Sequence, residues 1–171
     1  MGVAGCLGED GGDPTADVDP VDLDGGLTCD VCGMIIENGY GPNGQVHYDG
    51  EYPSGRDGPA YYDSVRELYV DMFAQDRRGI EQIVGFVTDY ATVEFEIESR
   101  ADERYITGSV TPDSFVETDE AVYVIGSGLQ GTMGPELLPF SDRDHASTLV
   151  GEYGGEIIPS EDVTGDLVAS M

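Results

Sequence analysis

Two stretches of the chain repeat one order of features, and this repetition limits the fold more than any other property of the sequence. In each stretch an aromatic residue, Tyr62 or Phe140, is followed by polar helix-capping residues, a helical pattern, glycine and an apolar strand. The two aromatic residues lie 78 positions apart (140 − 62). Two copies are too few for a solenoid, which needs at least three. The repetition therefore predicts an α+β fold of two similar small lobes.

Local patterns place the individual elements. Asp63 or Ser64 can cap a helix that runs to about Gln75, and Ser141 with Asp144 resembles a capping box for a helix that ends near Tyr153. In the segment 92–98 apolar residues alternate with glutamates, which is typical of a half-buried strand. We expect further strands at 81–89, 121–125 and 156–158, and a hairpin between 31–37 and 45–48.

The first 27 residues differ from the rest of the chain. Residues 3–6 read Val-Ala-Gly-Cys and resemble a lipobox, which predicts lipidation of Cys6, although the charged start and most of the apolar part of a signal peptide are absent. Residues 7–28 contain seven acids and no base, which favours a flexible tether. The alternative is a disordered acidic leader with an unmodified cysteine. The predicted units are 1–27, a first lobe at 28–100 and a second lobe at 101–171.

The residues 29–34 bring sulfur ligands into a chain rich in carboxylates. Cys29, Cys32 and Met34 offer two thiols and a thioether, and such soft ligands favour Cu(I) over hard cations. On an extended segment Cys32 and Met34 would project to the same side. Met133 lies in a turn-rich Gly-Thr-Met-Gly-Pro loop, where a thioether is poorly placed for a core, and we take it as the second arm of the site.

Several alternatives stay open for the remaining candidates. Cys29 either adds a second thiolate or pairs with Cys32 in a short disulfide, as in an extracellular thiol-disulfide protein. His145 is either a ligand or an exposed helix residue, and His47 either supplies an imidazole or is an ordinary strand histidine. Met72 has the spacing of a core residue. Structural zinc is disfavoured because the sequence has no second CxxC or spaced histidine pair.

The net charge excludes some classes of partner. The chain has 35 acidic and seven basic residues, all of the latter arginine, for a net charge of −28. A protein with this charge repels nucleic acid phosphates, so nucleic acid binding through a basic patch is excluded. Molar salt shortens the Debye length to about 3 Å and screens such repulsion, and we therefore predict a salt-adapted protein from a halophilic archaeon. We find no nucleophile–base–acid set and predict that the protein is not an enzyme.

A series of motifs in order resembles the NosL family. They begin with Cys-Gly-Met-Ile at 32–35 and Tyr-Asp-Ser at 62–64, continue with Phe-Val-Thr-Asp-Tyr at 86–90 and Tyr-Val-Ile-Gly-Ser at 123–127, and end with 133–141 and Tyr-Gly-Gly-Glu-Ile at 153–157. The resemblance covers about 28–163 and is more specific than any single motif.

The resemblance implies both a fold and a function. It implies two similar α+β lobes that look like the organomercurial lyase MerB. It also implies a lipid-anchored extracytoplasmic protein at the cell surface that binds one Cu(I) and delivers it to apo nitrous oxide reductase, together with a membrane maturation complex. Met133 is carried over as a ligand of this ion.

Overall fold

The computed structural model describes residues 18–171, and these residues contain eleven strands and three α-helices. The strands are β1 (Gly44–Tyr48), β2 (Ala60–Tyr62), β3 (Gln82–Thr88), β4 (Ile97–Arg100), β5 (Glu103–Ile106), β6 (Phe115–Glu117), β7 (Val122–Ile125), β8 (Leu129–Gly131), β9 (Gly134–Pro135), β10 (Leu138–Phe140) and β11 (Glu156–Pro159). The helices are α1 (Val65–Asp76), α2 (Arg143–Tyr153) and α3 (Gly165–Ala169).

Helix α1 is capped by one of its two predicted caps, and helix α2 is capped one residue after its predicted cap. Ser64 caps α1 by accepting a hydrogen bond from the Glu67 N–H at 3.2 Å. The cap of α2 is Asp142 rather than the predicted Ser141, because the Ser141 hydroxyl donates instead to Asp89 Oδ2 at 2.6 Å. Helix α2 ends at Tyr153, and its C-cap Gly154 has a φ of +77°, which suits a residue without a Cβ.

The sheets repeat one topology. The first sheet has the order β2-β1-β3-β6 and the second has the order β10-β7-β11. In each sheet the central strand, β1 or β7, runs antiparallel to the strand that precedes the helix and to the strand that follows it. Helix α1 packs on the first sheet and α2 on the second. The α+β prediction of two similar lobes is confirmed.

The remaining strands and the buried core join the two units. A third sheet has the order β4-β5-β8-β9. The largest core cluster combines Tyr62 and Leu68 from the first unit with Tyr123 and Leu137 from the second. Strand β6 pairs with β3, and α3 packs against α1. A division of the chain at residue 100 stays a prediction.

Part of the predicted tether is packed against the fold. Leu23 is fully buried, its N–H donates to the Val110 carbonyl, and Val21 exchanges two hydrogen bonds of 2.8 Å with the Gln45 side chain. The apolar residues among the acids provide this anchor, and they are too few to produce a detectable periodicity. The rest of the predicted tether, with Cys6, lies outside the described residues.

Two strand predictions differ from the structure. Only Ile97 and Glu98 of the predicted strand 92–98 are in a strand, because Glu96 pairs with Thr107 partly through the threonine side chain. The alternation is correct over 93–96, where Val93 and Phe95 are half-buried and Glu94 and Glu96 are exposed, but Glu98 is half-buried. The strand at 44–48 pairs with β2 and β3 and not with 31–37, so the predicted hairpin is wrong.

Candidate metal site

The cysteines lie in a closed loop and not on the extended segment that the sequence predicts. A bridge between Thr28 and Ile35 closes the loop, and the Cys29 N–H donates to the Met34 carbonyl at 2.8 Å. Gly33 has a φ of +76° and donates its N–H to the Cys29 carbonyl, which reverses the chain after a turn at 30–32. As a result Cys29 is buried at 2% exposure, whereas Cys32 is exposed near the tip.

An ion pair holds this loop against strand β2. Both oxygens of the Asp30 carboxylate accept hydrogen bonds from the Arg56 guanidinium, at 2.7 and 2.6 Å. Asp30 also accepts from the Tyr61 N–H, and the guanidinium of Arg56 lies 4.3 Å from the centre of the Tyr61 ring. Bidentate arginine–carboxylate pairs fix orientation as well as distance. Residues outside the cysteine loop, Arg56 and Tyr61, therefore fix its position.

Four potential metal ligands meet where the loop contacts the start of α1. The ligand atoms of Cys29, Cys32, Asp63 and Glu67 all lie within 4.8 Å of one another, and we call these four residues the donor cluster. The Cys29 Sγ lies 3.4 Å from Glu67 Oε2, and the Cys32 Sγ lies 3.4 Å from each carboxylate oxygen of Asp63. Both cysteines are free thiols.

The surroundings favour protonated thiols. Burial raises the pKa of Cys29 well above the usual range of a thiol, and burial together with the Asp63 carboxylate raises the pKa of Cys32. Burial also raises the pKa of Glu67. Since a thiolate is both the nucleophile and the metal ligand, these thiols are poor nucleophiles, and a metal must displace their protons.

The loop that contains Met133 also reaches the start of α1. It follows α1 in the sequence, whereas the cysteine loop precedes it. The Met133 carbonyl accepts a hydrogen bond of 3.1 Å from Arg66, which lies between Asp63 and Glu67 in sequence. The neighbouring Thr132 lines a cavity of about 530 Å³ together with Met34. The backbone of the Met133 loop therefore contacts a residue at the start of α1, whereas none of the four donor residues lines this cavity.

The other predicted candidates lie elsewhere or outside the described residues. His145 is an exposed residue of α2 whose Nδ1 lies 3.4 Å from Asp142 Oδ1, and it is not a member of the donor cluster. His47 is in β1 with a buried Nε2, next to the aromatic ring of Phe86. Met72 packs against the largest core cluster, as its spacing predicts. Cys6 is not within residues 18–171.

Asp63 and Glu67 were missed by reasoning from the sequence. They lie four positions apart at the start of a helix, a spacing that puts two side chains on one face. This signal is weak in a chain with 35 acidic residues, because chance carboxylate pairs are then common. Only the fold shows that the cysteine loop packs against this pair.

The fold and the donor cluster define a class of protein: a small two-unit α+β protein that gathers two thiols and two carboxylates in a candidate metal site at the start of a helix. The NosL family model matches residues 20–168, and the chain belongs to the NosL family. The site-residue assignments made from the sequence stay predictions.

Named relatives and a solved structure agree with this assignment. The copper-binding lipoprotein NosL of Achromobacter cycloclastes is 31% identical over 142 residues, which cover 80% of this chain and 63% of that protein. The protein of the same name from Stutzerimonas stutzeri is 26% identical over 163 residues, covering 95% of this chain and 74% of that protein. The crystal structure of the copper chaperone NosL from Shewanella denitrificans has a TM-score of 0.67 at 20% identity, and the match covers 84% of this chain and 94% of that one, which shows the shared fold.

Proposed function

We propose that this protein binds one Cu(I) ion through Cys32, Met34 and Met133 and transfers it without turnover to a copper-dependent acceptor. The observation that carries the proposal is the approach of two distant segments, 29–34 and 131–136, to the start of α1. Cys29 lies in the donor cluster and is close enough to supply a second thiolate. His145 has no such support, because it lies outside that cluster.

The accessibility of the loop suits transfer. Cys32 is exposed, and three of the four large apolar side chains that are most exposed in residues 18–171 flank it: Val31, Met34 and Ile35, at 40–47% exposure. An acceptor needs to bring its own ligands to the ion while the ion is still held, so an exposed ligand favours exchange. The apolar flank provides a contact surface on a molecule that is otherwise strongly acidic.

We further propose that the acceptor is apo nitrous oxide reductase and that a membrane maturation complex takes part in the transfer. The protein acts outside the cytoplasm and is anchored to the membrane by a lipid attached to Cys6. The support is membership of the NosL family and the names of the two curated relatives as lipoproteins. Within the described residues every helix is too short or too polar to span a bilayer.

A thiol-disulfide protein is the alternative, and it has less support. A redox-active CxxC motif needs a lowered thiol pKa, typically at a helix N-terminus. Here the thiols lie in a turn and burial raises the pKa of both. In addition, thiol-disulfide chemistry gives no role to Met34 or Met133.

Titration of the reduced protein with Cu(I) against a chromophoric chelator tests the proposal. We expect one Cu(I) per chain, and we expect Cys32→Ser to weaken binding by at least about 100-fold, or roughly 2.7 kcal/mol. The double variant Met34→Leu, Met133→Leu should also weaken binding, because leucine keeps the volume and removes the sulfur. Met72→Leu is the matched control, since Met72 packs in the core. Unchanged affinity in the double variant would refute the ligand assignment.

A further inference from the structure

The donor cluster contains two carboxylates that a Cu(I) site of sulfur ligands does not need. Asp63 is fully buried, yet within residues 18–171 neither Asp63 nor Glu67 forms an ion pair with a basic side chain. Arg66, the nearest base in sequence, donates to the Met133 carbonyl instead. A buried carboxylate without a cation costs free energy unless other groups compensate. The thiols of the cluster are its neighbours, and a thiol is a weak donor.

The spacing of these atoms matches a four-coordinate cation. Zinc bonds to sulfur at about 2.3 Å and to carboxylate oxygen at about 2.0–2.2 Å, in tetrahedral geometry. Those bond lengths place neighbouring sulfur and oxygen ligands roughly 3.5 Å apart. The observed sulfur–oxygen distances, Cys29 to Glu67 and Cys32 to Asp63, are 3.4 Å. Two sulfur–oxygen edges of the cluster therefore already have the length found in such a tetrahedron, and the other pairs of ligand atoms lie within 4.8 Å of each other.

The charge of the cluster favours a divalent ion over a monovalent one. Two thiolates and two carboxylates carry four negative charges, so a divalent cation offsets half of them and Cu(I) only a quarter. The chain as a whole has a net charge of −28, which adds to the attraction for any cation. Mixed thiolate and carboxylate ligands suit a borderline ion such as zinc better than Cu(I), which prefers sulfur alone.

We propose that Cys29, Cys32, Asp63 and Glu67 form a binding site for a divalent borderline cation of the zinc class, with a ligand set that overlaps that of the Cu(I) site but replaces the methionines with carboxylates. The inference shares Cys32 with the proposed function but does not depend on Met34 or Met133. On binding, both thiol protons leave to solvent and four metal–ligand bonds form. Because the two sites share a thiolate, the divalent ion and Cu(I) exclude each other.

The site lacks the closely spaced ligand motifs by which structural zinc sites are recognised in a sequence. Its ligands come from a CxxC loop and from a pair of carboxylates at the start of a helix, 31 positions after Cys32 in the case of Asp63 (63 − 32). The exposed Cys32 leaves the ion accessible from solvent. Accessibility is consistent with an ion that exchanges rather than one that is required for folding.

Titration of the reduced full-length protein with Co²⁺ tests the ligand set, because tetrahedral Co²⁺ bound to thiolate has strong visible and near-ultraviolet bands that octahedral Co²⁺ lacks. We expect these bands with one Co²⁺ per chain, and loss of the bands when Zn²⁺ is added. Asp63→Asn and Glu67→Gln should each weaken Zn²⁺ binding by at least about tenfold, or roughly 1.4 kcal/mol, while Cu(I) affinity changes by less than about threefold.

Two controls separate this proposal from the Cu(I) proposal. Glu94→Gln removes an exposed carboxylate outside the cluster and should leave Co²⁺ and Zn²⁺ binding unchanged. The double variant Met34→Leu, Met133→Leu should keep the Co²⁺ bands while it loses Cu(I) affinity. If the wild-type protein binds Co²⁺ in this way but not Cu(I), the proposed function fails and this inference stands.

Three results would overturn the inference. They are a Co²⁺ spectrum without thiolate bands, Zn²⁺ affinity that is unchanged in both carboxylate variants, and equal losses of Zn²⁺ and Cu(I) affinity in those variants. Since Asp63 is fully buried, Asp63→Asn could fail to fold. Glu67→Gln, at a half-buried position, then decides the question by itself, with far-ultraviolet circular dichroism as the check on folding.

Discussion

Glu136 connects the methionine loop to the helix that carries the carboxylates. It is buried at 2% exposure, and its carboxylate accepts hydrogen bonds from the Ser64 hydroxyl at 2.5 Å and from the Arg66 N–H at 3.1 Å. These are groups at the N-terminus of α1, where the backbone N–H groups and the helix dipole favour a negative charge. Three positions separate Glu136 from Met133, so this contact fixes the loop beside the donor cluster.

The titration of Glu136 predicts a pH-dependent stability. Burial raises the pKa of Glu136 to about 8, whereas an unfolded glutamate titrates near 4.3. Between these values the folded chain holds a proton that the unfolded chain has lost, so the contribution of Glu136 is greatest below about pH 4.3 and falls as the pH rises to 8. The glutamine of Glu136→Gln is neutral at every pH. The free energy of unfolding of this variant, relative to that of wild type, should therefore rise by roughly 2 kcal/mol between pH 6 and pH 8.

Urea unfolding at these two pH values measures the effect, and the exposed carboxylate variant Glu94→Gln is its control. A difference between wild type and Glu136→Gln that does not vary with pH would show that Glu136 titrates like an exposed glutamate.

At the scale of residues, the sequence predicts which sulfur atoms are candidate ligands but not their setting. Cys32, Met34 and Met133 stand out because soft ligands are rare in this chain, and their chemistry is readable without coordinates. Asp63 and Glu67 do not stand out, because the chain has 35 acids. The turn that buries Cys29 and exposes Cys32 depends on the positive φ of Gly33, which the sequence permits but does not specify.

At the scale of elements, a single hydroxyl joins the two segments that border the site. Thr132 Oγ1 accepts a hydrogen bond from the Tyr40 N–H at 2.7 Å and donates one to the Tyr40 carbonyl at 2.8 Å. A Cβ at Gly39 would lie 2.5 Å from the same oxygen, so the absence of a side chain there permits the contact. This pair of hydrogen bonds connects the segment after the cysteine loop to the Met133 loop.

We predict that Thr132→Val weakens Cu(I) binding without unfolding the protein. Valine keeps the shape of threonine but leaves the N–H and the carbonyl of Tyr40 without their partner, which costs about 1–3 kcal/mol and lets the two loops separate. Cu(I) affinity should fall at least about tenfold. Thr132→Ser keeps the hydroxyl and should retain most of the affinity. If the valine variant binds Cu(I) like wild type, these hydrogen bonds do not position the metal ligands.

Elements governed by local chemistry were predicted well, and pairings between distant strands were not. The helix α1 and the end of α2 at Gly154 follow from caps and glycine, which act within a few residues. The partners of β1 and the shortening of β4 depend on contacts with residues far along the chain. The alternation of apolar residues with glutamates in 92–98 still predicted that the apolar side chains face inward, because this prediction depends only on the strand period.

At the scale of the whole molecule, the repeated topology explains where the site lies. Each unit is built from a central strand and a strand–helix–strand element, and Tyr62 and Phe140 end the strands before the two helices. The start of α1 faces the loop that precedes β10 of the second unit, through Ser64 and Glu136. A site at this junction can therefore receive ligands from both units.

The surface charge is the other property of the whole molecule, and it is largely unpaired. Residues 18–171 contain 31 of the 35 acids (35 − 4), and within them only two arginines, Arg56 and Arg100, lie within 4.0 Å of a carboxylate oxygen. Repulsion between so many like charges destabilises the compact state. Salt reduces this repulsion, because the Debye length falls from about 10 Å at 0.1 M to about 3 Å at 1 M.

We therefore expect stability to increase with salt. Between about 0.1 M and 1 M sodium chloride the free energy of unfolding should rise by about 2 kcal/mol, which for a chain of this size is roughly 4–8 °C in Tm. Differential scanning calorimetry at constant pH measures this change. Because screening depends on ionic strength, sodium chloride and sodium perchlorate should act alike below about 0.3 M, whereas a Hofmeister effect would separate them. A Tm that stays constant across this range would mean that repulsion between the acidic residues does not limit the stability of the fold at low salt.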